Sequence, residues 1–178
     1  DGIKIKAAEA DAMYAGIVID TNNFTNQTGV RTFEAAAFLR RNGADVTRVR
    51  KLFRDDMQDY KARAAAISSA EIYREAFSIG VCPSEGLPSP TIVCAQAANE
   101  LLEIKGIKAS VVMTEYHGLI YLSARSIDEV NVQVMMEKLG GGGHRTIAGA
   151  QLSGISMDEA KDRVKAVIDE MLQKGDIS

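Results

Sequence analysis

The fold is decided by residues 119–152, LIYLSARSIDEVNVQVMMEKLGGGGHRTIAGAQL. Residues 119–124 are rich in apolar and aromatic side chains, which predicts a strand. We expect a helix to begin at the capping-box sequence SIDE, residues 126–129, and to end at Gly140. After the glycines, residues 147–152 predict a second strand. The alternation of strands and helices along the chain indicates an α/β fold.

The flanking sequence adds elements of the same kinds. We expect a strand over 110–116 that forms a hairpin with 119–124, and we interpret His117 as a residue of the turn between them and not as a ligand. A final helix begins at the second capping box, Ser156, and carries an apolar stripe that packs in the core. Further elements are predicted as a strand over 71–81 and a helix over 92–104.

The first part of the chain is predicted to contain one strand. The apolar run Gly16–Ile19 is typical of a short strand buried on both faces, and Asp20 stands at its end. Helices are predicted over 32–41, 46–53 and 55–70. Because the last of these is more polar, we expect it to connect two lobes, which divides the chain into regions 1–56 and 57–178.

Composition narrows the classes of protein. A chain of 178 residues with 46% hydrophobic residues is long enough to bury a core, and its net charge of −3 argues against a surface that binds duplex nucleic acid. No stretch approaches the roughly 20 apolar residues that span a bilayer. We therefore expect a cytoplasmic protein in which Cys82 and Cys94 are reduced thiols in or near the core. The start, without a methionine or a polar lead-in, reads as part of a longer protein.

The four glycines with His144 are the strongest indication of a ligand site. Glycine has no Cβ and adopts positive φ freely, so consecutive glycines let backbone N–H groups converge on an anion. His144 and Arg145 add side-chain donors. Alternatively, Gly140 ends the helix and the other three glycines form a flexible turn.

A second group of candidates precedes the glycines. Arg125 offers a fork of donors that suits a phosphate, and the hydroxyls of Ser123 and Ser126 lie next to it in sequence. Ser126 is also expected to cap the following helix. The alternative for Arg125 is a surface charge paired with Asp128 or Glu129.

Asp20 is a candidate metal ligand, because a carboxylate at the end of a strand is well placed to bind a cation. The alternative is a helix cap or a turn. A hydrolytic metal centre needs several carboxylates and imidazoles, whereas the chain has two histidines, neither of them near Asp20 in sequence. The first lobe therefore cannot supply a complete centre by itself.

Two stretches resemble a known family. Residues 15–45, AGIVIDTNNFTNQTGVRTFEAAAFLRRNGAD, resemble the last part of the catalytic domain of the DHH phosphoesterases. Residues 123–152 resemble the associated substrate-binding domain, and both stretches are most similar to the cyclic-di-AMP phosphodiesterase branch. The resemblance implies a mixed sheet flanked by helices in the C-terminal lobe, preceded by the truncated end of an α/β catalytic lobe.

The resemblance also implies roles for the candidates. Asp20 matches the last metal-binding aspartate of a catalytic site with two Mn²⁺ ions. The motif formed by Gly141, Gly142, Gly143 and His144 matches the substrate-binding motif, in which His144 also counters charge during hydrolysis. The serines and the arginine at 123–126 match the accompanying phosphate and base contacts. The substrate implied is cyclic-di-AMP, and the product is linear pApA.

The chain lacks the Asp-His-His motif and the earlier aspartates of this family. We therefore expect it to bind nucleotide with negligible phosphodiesterase activity of its own. The resemblance implies a longer protein that is tethered to the membrane by upstream segments, and an exposed core of the first lobe favours self-association as a homodimer. The alternatives are an enzyme of the same family that acts on very short RNA or pAp, and a nucleotide-binding module without catalysis.

Overall fold

The structure is a computed structural model that describes residues 4–25, 28–127 and 129–175. It divides into two compact units, Asp1–Asp55 and Asp56–Ser178. In the described part of the chain, no helix combines the length and the apolar character needed to cross a membrane.

The first unit consists of three helices in its described part. These are α1 (Ala7–Asp20), α2 (Val30–Arg41) and α3 (Val46–Leu52). The unit is held together at one end by Asp11, whose carboxylate accepts a hydrogen bond from the Asp45 N–H at 2.6 Å and pairs with Arg48 at 2.7 Å. Its main buried cluster is small and consists of Ala10, Leu39 and Ala44.

The strand predicted over residues 16–19 is wrong, because this run is the last part of α1. The preceding residues 7–15 are rich in alanine, the best helix former, and an apolar run of four residues fits a helix as well as a strand. The helix ends at Thr21, whose hydroxyl donates to the Ile17 carbonyl at 2.6 Å. Asp20 is therefore an exposed residue at the end of a helix and does not follow a strand.

The second unit is built on a six-stranded mixed sheet flanked by helices, which confirms the predicted fold class. The order of the strands is β1-β2-β3-β4-β6-β5, in which β2 and β3 are parallel and all other neighbours are antiparallel. The strands are β1 (Glu71–Tyr73), β2 (Phe77–Val81), β3 (Ala109–Tyr116), β4 (Leu119–Ser126), β5 (Gly142–His144) and β6 (Ile147–Ser153). The helices are α4 (Met57–Ser68), α5 (Pro90–Leu101), α6 (Val132–Glu137) and α7 (Met157–Lys174).

Two tight turns connect neighbouring strands. The predicted hairpin between β3 and β4 is confirmed, and His117 lies in its turn with a positive φ of 50°. The single strand predicted over 71–81 is instead a second hairpin, β1 and β2, because Arg74 and Glu75 adopt positive φ between them. Neither residue is one of the usual turn residues, so the sequence contains no clear signal for this turn.

One face of the sheet forms the main core. Alternate residues of β4, such as Leu122 and Ala124, are buried against α6 and α7. The predicted apolar stripe of the last helix is confirmed, and the Ser156 hydroxyl caps this helix by accepting from the Glu159 N–H at 3.2 Å. The stripe consists of Ala160, Val164, Val167, Ile168 and Met171.

The other face is covered by α4 and α5 where it is formed by β2 and β3. Val112 of β3 is buried there beside Val93 and Cys94 of α5. The predicted state of both cysteines is confirmed, since they are free and buried. Burial raises the pKa of the Cys82 thiol to about 11 and that of Cys94 to about 12. Because the thiolate is the nucleophilic form, a raised pKa lowers the reactivity of a thiol at neutral pH.

The capping box predicted at residues 126–129 is wrong. Ser126 belongs to β4, and α6 begins at Val132 with Asn131 as its cap. The Asn131 side chain accepts hydrogen bonds from the N–H groups of Gln133 and Val134. Asparagine is as good a cap as serine, and here it lies next to the helix. Asp128 of the predicted box lies outside the described residues.

Candidate functional site

The candidate site lies on the part of the sheet face formed by β4, β6 and β5. Side chains of directly paired residues point to the same face of a sheet, and successive side chains along a strand alternate between faces. We call this surface the open face, because residues at its edge such as His144, Ile147 and Gln151 are exposed. It consists of three rows of paired residues, Arg125–Ile147–His144, Ser123–Gly149–Gly142 and Tyr121–Gln151.

A cavity of about 500 Å³ lies on the open face, between the first turn of α5 and the glycines. Thr91 of α5 lines one side of the cavity, and Gly140 and Gly141 line another. Because Gly149 also lines the cavity, much of the cavity surface is bare backbone. A flat group or an anion can therefore approach the main chain closely.

The glycine run is not a flexible turn. Gly140 follows α6 with a positive φ of 80°, and the Gly141 N–H donates to the carbonyl of Met136 at 2.8 Å. The next residues form β5, the edge strand that pairs with β6. A Cβ at Gly141 would overlap the carbonyl oxygen of Gly149, whereas a Cβ at Gly142 would have no neighbour within 4 Å. Gly141 is therefore needed for the close packing of β5 on β6, whereas the absence of a side chain at Gly142 leaves the space above its backbone open.

Arg125 is half-buried at the cationic end of the open face. Its Nε donates to Asn99 Oδ1 and its Nη1 donates to the Ala124 carbonyl, both at 2.9 Å. Within the described residues it pairs with no carboxylate, and Glu129 pairs with Lys108 at 3.2 Å. Burial lowers the pKa of the Arg125 guanidinium from its ordinary value. A half-buried cation of this kind is stabilised by an anionic ligand.

The structure brings Ser123 to this face but not Ser126. Ser123 lines the cavity beside the buried thiol of Cys94. Ser126 is buried on the opposite face, and its hydroxyl donates to the carbonyl of Val130 at 2.6 Å. The predicted contact between Ser126 and substrate is therefore corrected: the pleat of β4 turns this side chain into the core.

The predicted metal ligand Asp20 lies in the first unit, on an exposed helix end. Across residues 4–25, 28–127 and 129–175, no three histidine, cysteine, aspartate or glutamate side chains come together in a way that holds a metal ion. A pair of catalytic cations needs several such ligands. The described residues therefore do not fit a complete metal centre.

Three polar side chains that line the cavity were not predicted from the sequence, namely those of Thr91, Tyr121 and Gln151. Tyr121 could have been predicted, because the alternation of side chains along β4 places it on the same face as Ser123 and Arg125. Gln151 joins them only through the pairing of β4 with β6, and Thr91 only through the packing of α5. These two contacts have no local signal in the sequence.

Comparison with known proteins shows what the residues of this site are similar to. Residues 89–174, which include the whole open face, match the model of the DHHA1 domain. These residues are thus similar to the DHHA1 domain, in agreement with the resemblance noted in the sequence.

Two curated relatives extend the similarity over most of the chain. It is 42% identical over 97% of its length to the cyclic-di-AMP phosphodiesterase GdpP of Geobacillus thermodenitrificans. It is 43% identical over 90% of its length to the cyclic-di-AMP phosphodiesterase PdeA of Listeria monocytogenes. The chain spans about a quarter of the length of these relatives, 26% and 24% respectively.

A solved structure shares the fold. The exopolyphosphatase-related protein from Bacteroides fragilis matches with a TM-score of 0.83 over 94% of this chain and 51% of that chain. The two sequences are 21% identical, so this match concerns the fold alone.

Proposed function

We propose that this chain is the C-terminal, nucleotide-binding part of a cyclic-di-AMP phosphodiesterase, a metal-dependent hydrolase that converts cyclic-di-AMP to linear pApA. The names and the identity of the two curated relatives support the substrate, and the match of the DHHA1 model to residues 89–174 supports the family. The ligands of this part are then cyclic-di-AMP and pApA.

The observation that carries the proposal is the first two rows of the open face. Arg125 and His144 lie in one row on either side of Ile147, and the next row offers bare backbone at Gly142 and Gly149. The guanidinium of Arg125 binds a phosphate through charge-assisted hydrogen bonds, and His144 donates from the other side. The positive charge of the Arg125 guanidinium and the hydrogen bond from His144 also counter the negative charge that develops on the phosphate during hydrolysis.

In this proposal, the chain can bind the nucleotide but cannot hydrolyse it alone. Asp20 would be one ligand of the Mn²⁺ ions, which would activate water for hydrolysis, and the remaining ligands would come from segments outside this chain. Because the described residues do not form a metal centre, the chain alone binds nucleotide without cleaving it.

Calorimetric titration of the chain with cyclic-di-AMP and with pApA tests the binding. We expect saturable binding of both ligands, and we expect Arg125→Ala and His144→Ala each to weaken it by roughly tenfold, since a hydrogen bond to a charged group contributes about 1.5–3 kcal/mol. Arg163→Ala is the matched control, because this exposed arginine lies on α7, across the sheet. Unchanged affinity in both site variants would remove these residues from the site.

An assay of hydrolysis in the presence of Mn²⁺ tests the proposed inactivity of the chain. We expect no turnover of cyclic-di-AMP by the chain alone. Turnover would contradict the proposed inactivity without affecting the binding site. Tighter binding of pAp or a short RNA than of cyclic-di-AMP would instead contradict the proposed substrate.

A further inference from the structure

We propose that Tyr121 and Gln151, at the end of the open face away from Arg125, select the adenine base: the Gln151 amide hydrogen-bonds the base edge and the Tyr121 ring stacks on the base. This inference deepens the proposed function and rests on it. The third row of the open face has no part in binding the phosphate, and this inference gives it a role.

The register of the sheet places the two side chains together. Tyr121 pairs directly with Gln151 across β4 and β6, so both lie on the same face, and both line the cavity. Tyr121 and Arg125 are four residues apart on β4, which corresponds to roughly 13 Å along an extended strand. A nucleotide with its phosphate at Arg125 can therefore extend over Gly149 and place its base at the third row.

The third row has free hydrogen-bonding capacity. Within the described residues, no hydrogen bond is made by the side chains of Gln151, Tyr121 or Thr91, which all line the cavity. An amide has one acceptor and one NH₂ donor side by side, and adenine presents the complementary pair, its 6-amino group and N7. A base with a carbonyl oxygen at position 6 presents two acceptors there, so the amide can satisfy only one of them.

Tyr121 contributes a contact that is independent of the base. Its half-buried ring packs against the ring of Tyr116, with the centroids 6.4 Å apart and the planes tilted by 54°. This contact restricts the rotation of the Tyr121 side chain. Stacking on an aromatic ring stabilises every base, because every base has a π face. The two residues therefore have separable effects, one on affinity and the other on discrimination.

Titration of the 178-residue chain with pApA and with its inosine analogue pIpI tests the inference. The two ligands differ at position 6 of the base, where pIpI carries an oxygen in place of the amino group. We expect the unmodified chain to bind pApA roughly tenfold more tightly than pIpI, since a bidentate amide contact gives about 1–3 kcal/mol of discrimination. In Gln151→Leu this preference disappears, whereas it persists in the control Gln173→Leu, an exposed residue of α7.

Tyr121→Leu is expected to weaken the binding of both ligands by a similar factor, roughly tenfold, and to leave the ratio of their affinities unchanged. Equal affinity of the unmodified chain for pApA and pIpI, or a preference that survives Gln151→Leu, would overturn the inference while the proposed function stands. A failure of the unmodified chain to bind either ligand would overturn both.

Discussion

The four glycines at 140–143 differ in what a side chain would meet at each position. A Cβ at Gly141 would overlap the carbonyl oxygen of Gly149 and crowd Ala150. A Cβ at Gly142 would stand on the open face with no neighbour within 4 Å. The sequence motif is uniform, but only the pairing of β5 with β6 shows which glycine is needed for packing.

Gly142→Ala therefore separates the site from the fold. We expect this variant to unfold at nearly the wild-type urea concentration and to bind pApA several-fold more weakly, because its methyl group stands on the open face in the row next to that of Arg125. Gly141→Ala is the matched comparison, and we expect it to lower the free energy of unfolding by about 3 kcal/mol or more through overpacking. Equal loss of stability in the two variants would contradict this division of roles.

Ser126 shows which site residues the sequence can predict. Ser123 and Arg125 are two residues apart and share the open face, whereas Ser126 has the opposite parity and is buried. The period of a strand would have excluded Ser126 from the ligand once β4 was known to extend to that residue. The capping-box pattern concealed that extension, because serine is also a frequent helix cap.

Strands with alternating burial and the amphipathic helix α7 could be predicted, because their apolar residues recur in the sequence with the period of a strand and of a helix. The end of α1 was not predictable, since a four-residue apolar run fits either period. The order of the strands could not be predicted from local sequence patterns either. β6 lies between β4 and β5, and its pairing with β4 joins residues that are far apart in sequence. That pairing brings Gln151 to the cavity.

The packing of α6 on α7 is supported by an ionic contact that depends on pH. Glu170 pairs with Lys174 at 2.6 Å and with Lys138 at 2.9 Å, and these partners lower the pKa of its carboxyl from 4.5 to about 2. A lowered pKa in the folded state means that the contribution to stability is complete above the ordinary pKa. It is lost as the pH falls from about 4.5 towards 2.

Glu170→Gln is therefore expected to be slightly less stable than the wild type at neutral pH. The difference is small because the pair is exposed. It should shrink as the pH is lowered from 4.5 to 2, measured as the free energy of unfolding in urea. The control is Glu85→Gln, an exposed loop residue that forms no ion pair within the described residues. A difference that stays constant down to pH 2 would contradict the assigned role of these contacts.

The two units differ in the size of their buried cores. The second unit has a continuous core on one face of its sheet, whereas the buried cluster of the first consists of Ala10, Leu39 and Ala44, and several large apolar side chains of the first unit are exposed. The most exposed of these in the first unit are Val30, Leu52, Ile19 and Phe33. The chain spans about a quarter of the length of its curated relatives.

The position of the bound nucleotide can be measured directly by titrating the ¹⁵N-labelled chain with cyclic-di-AMP and recording NMR spectra. We predict that the largest changes in amide chemical shift fall on Ser123, Arg125, Gly142, His144 and Gly149. Changes that are confined to α1–α3 of the first unit, or to α7 across the sheet, would contradict the assignment of the open face as the nucleotide site.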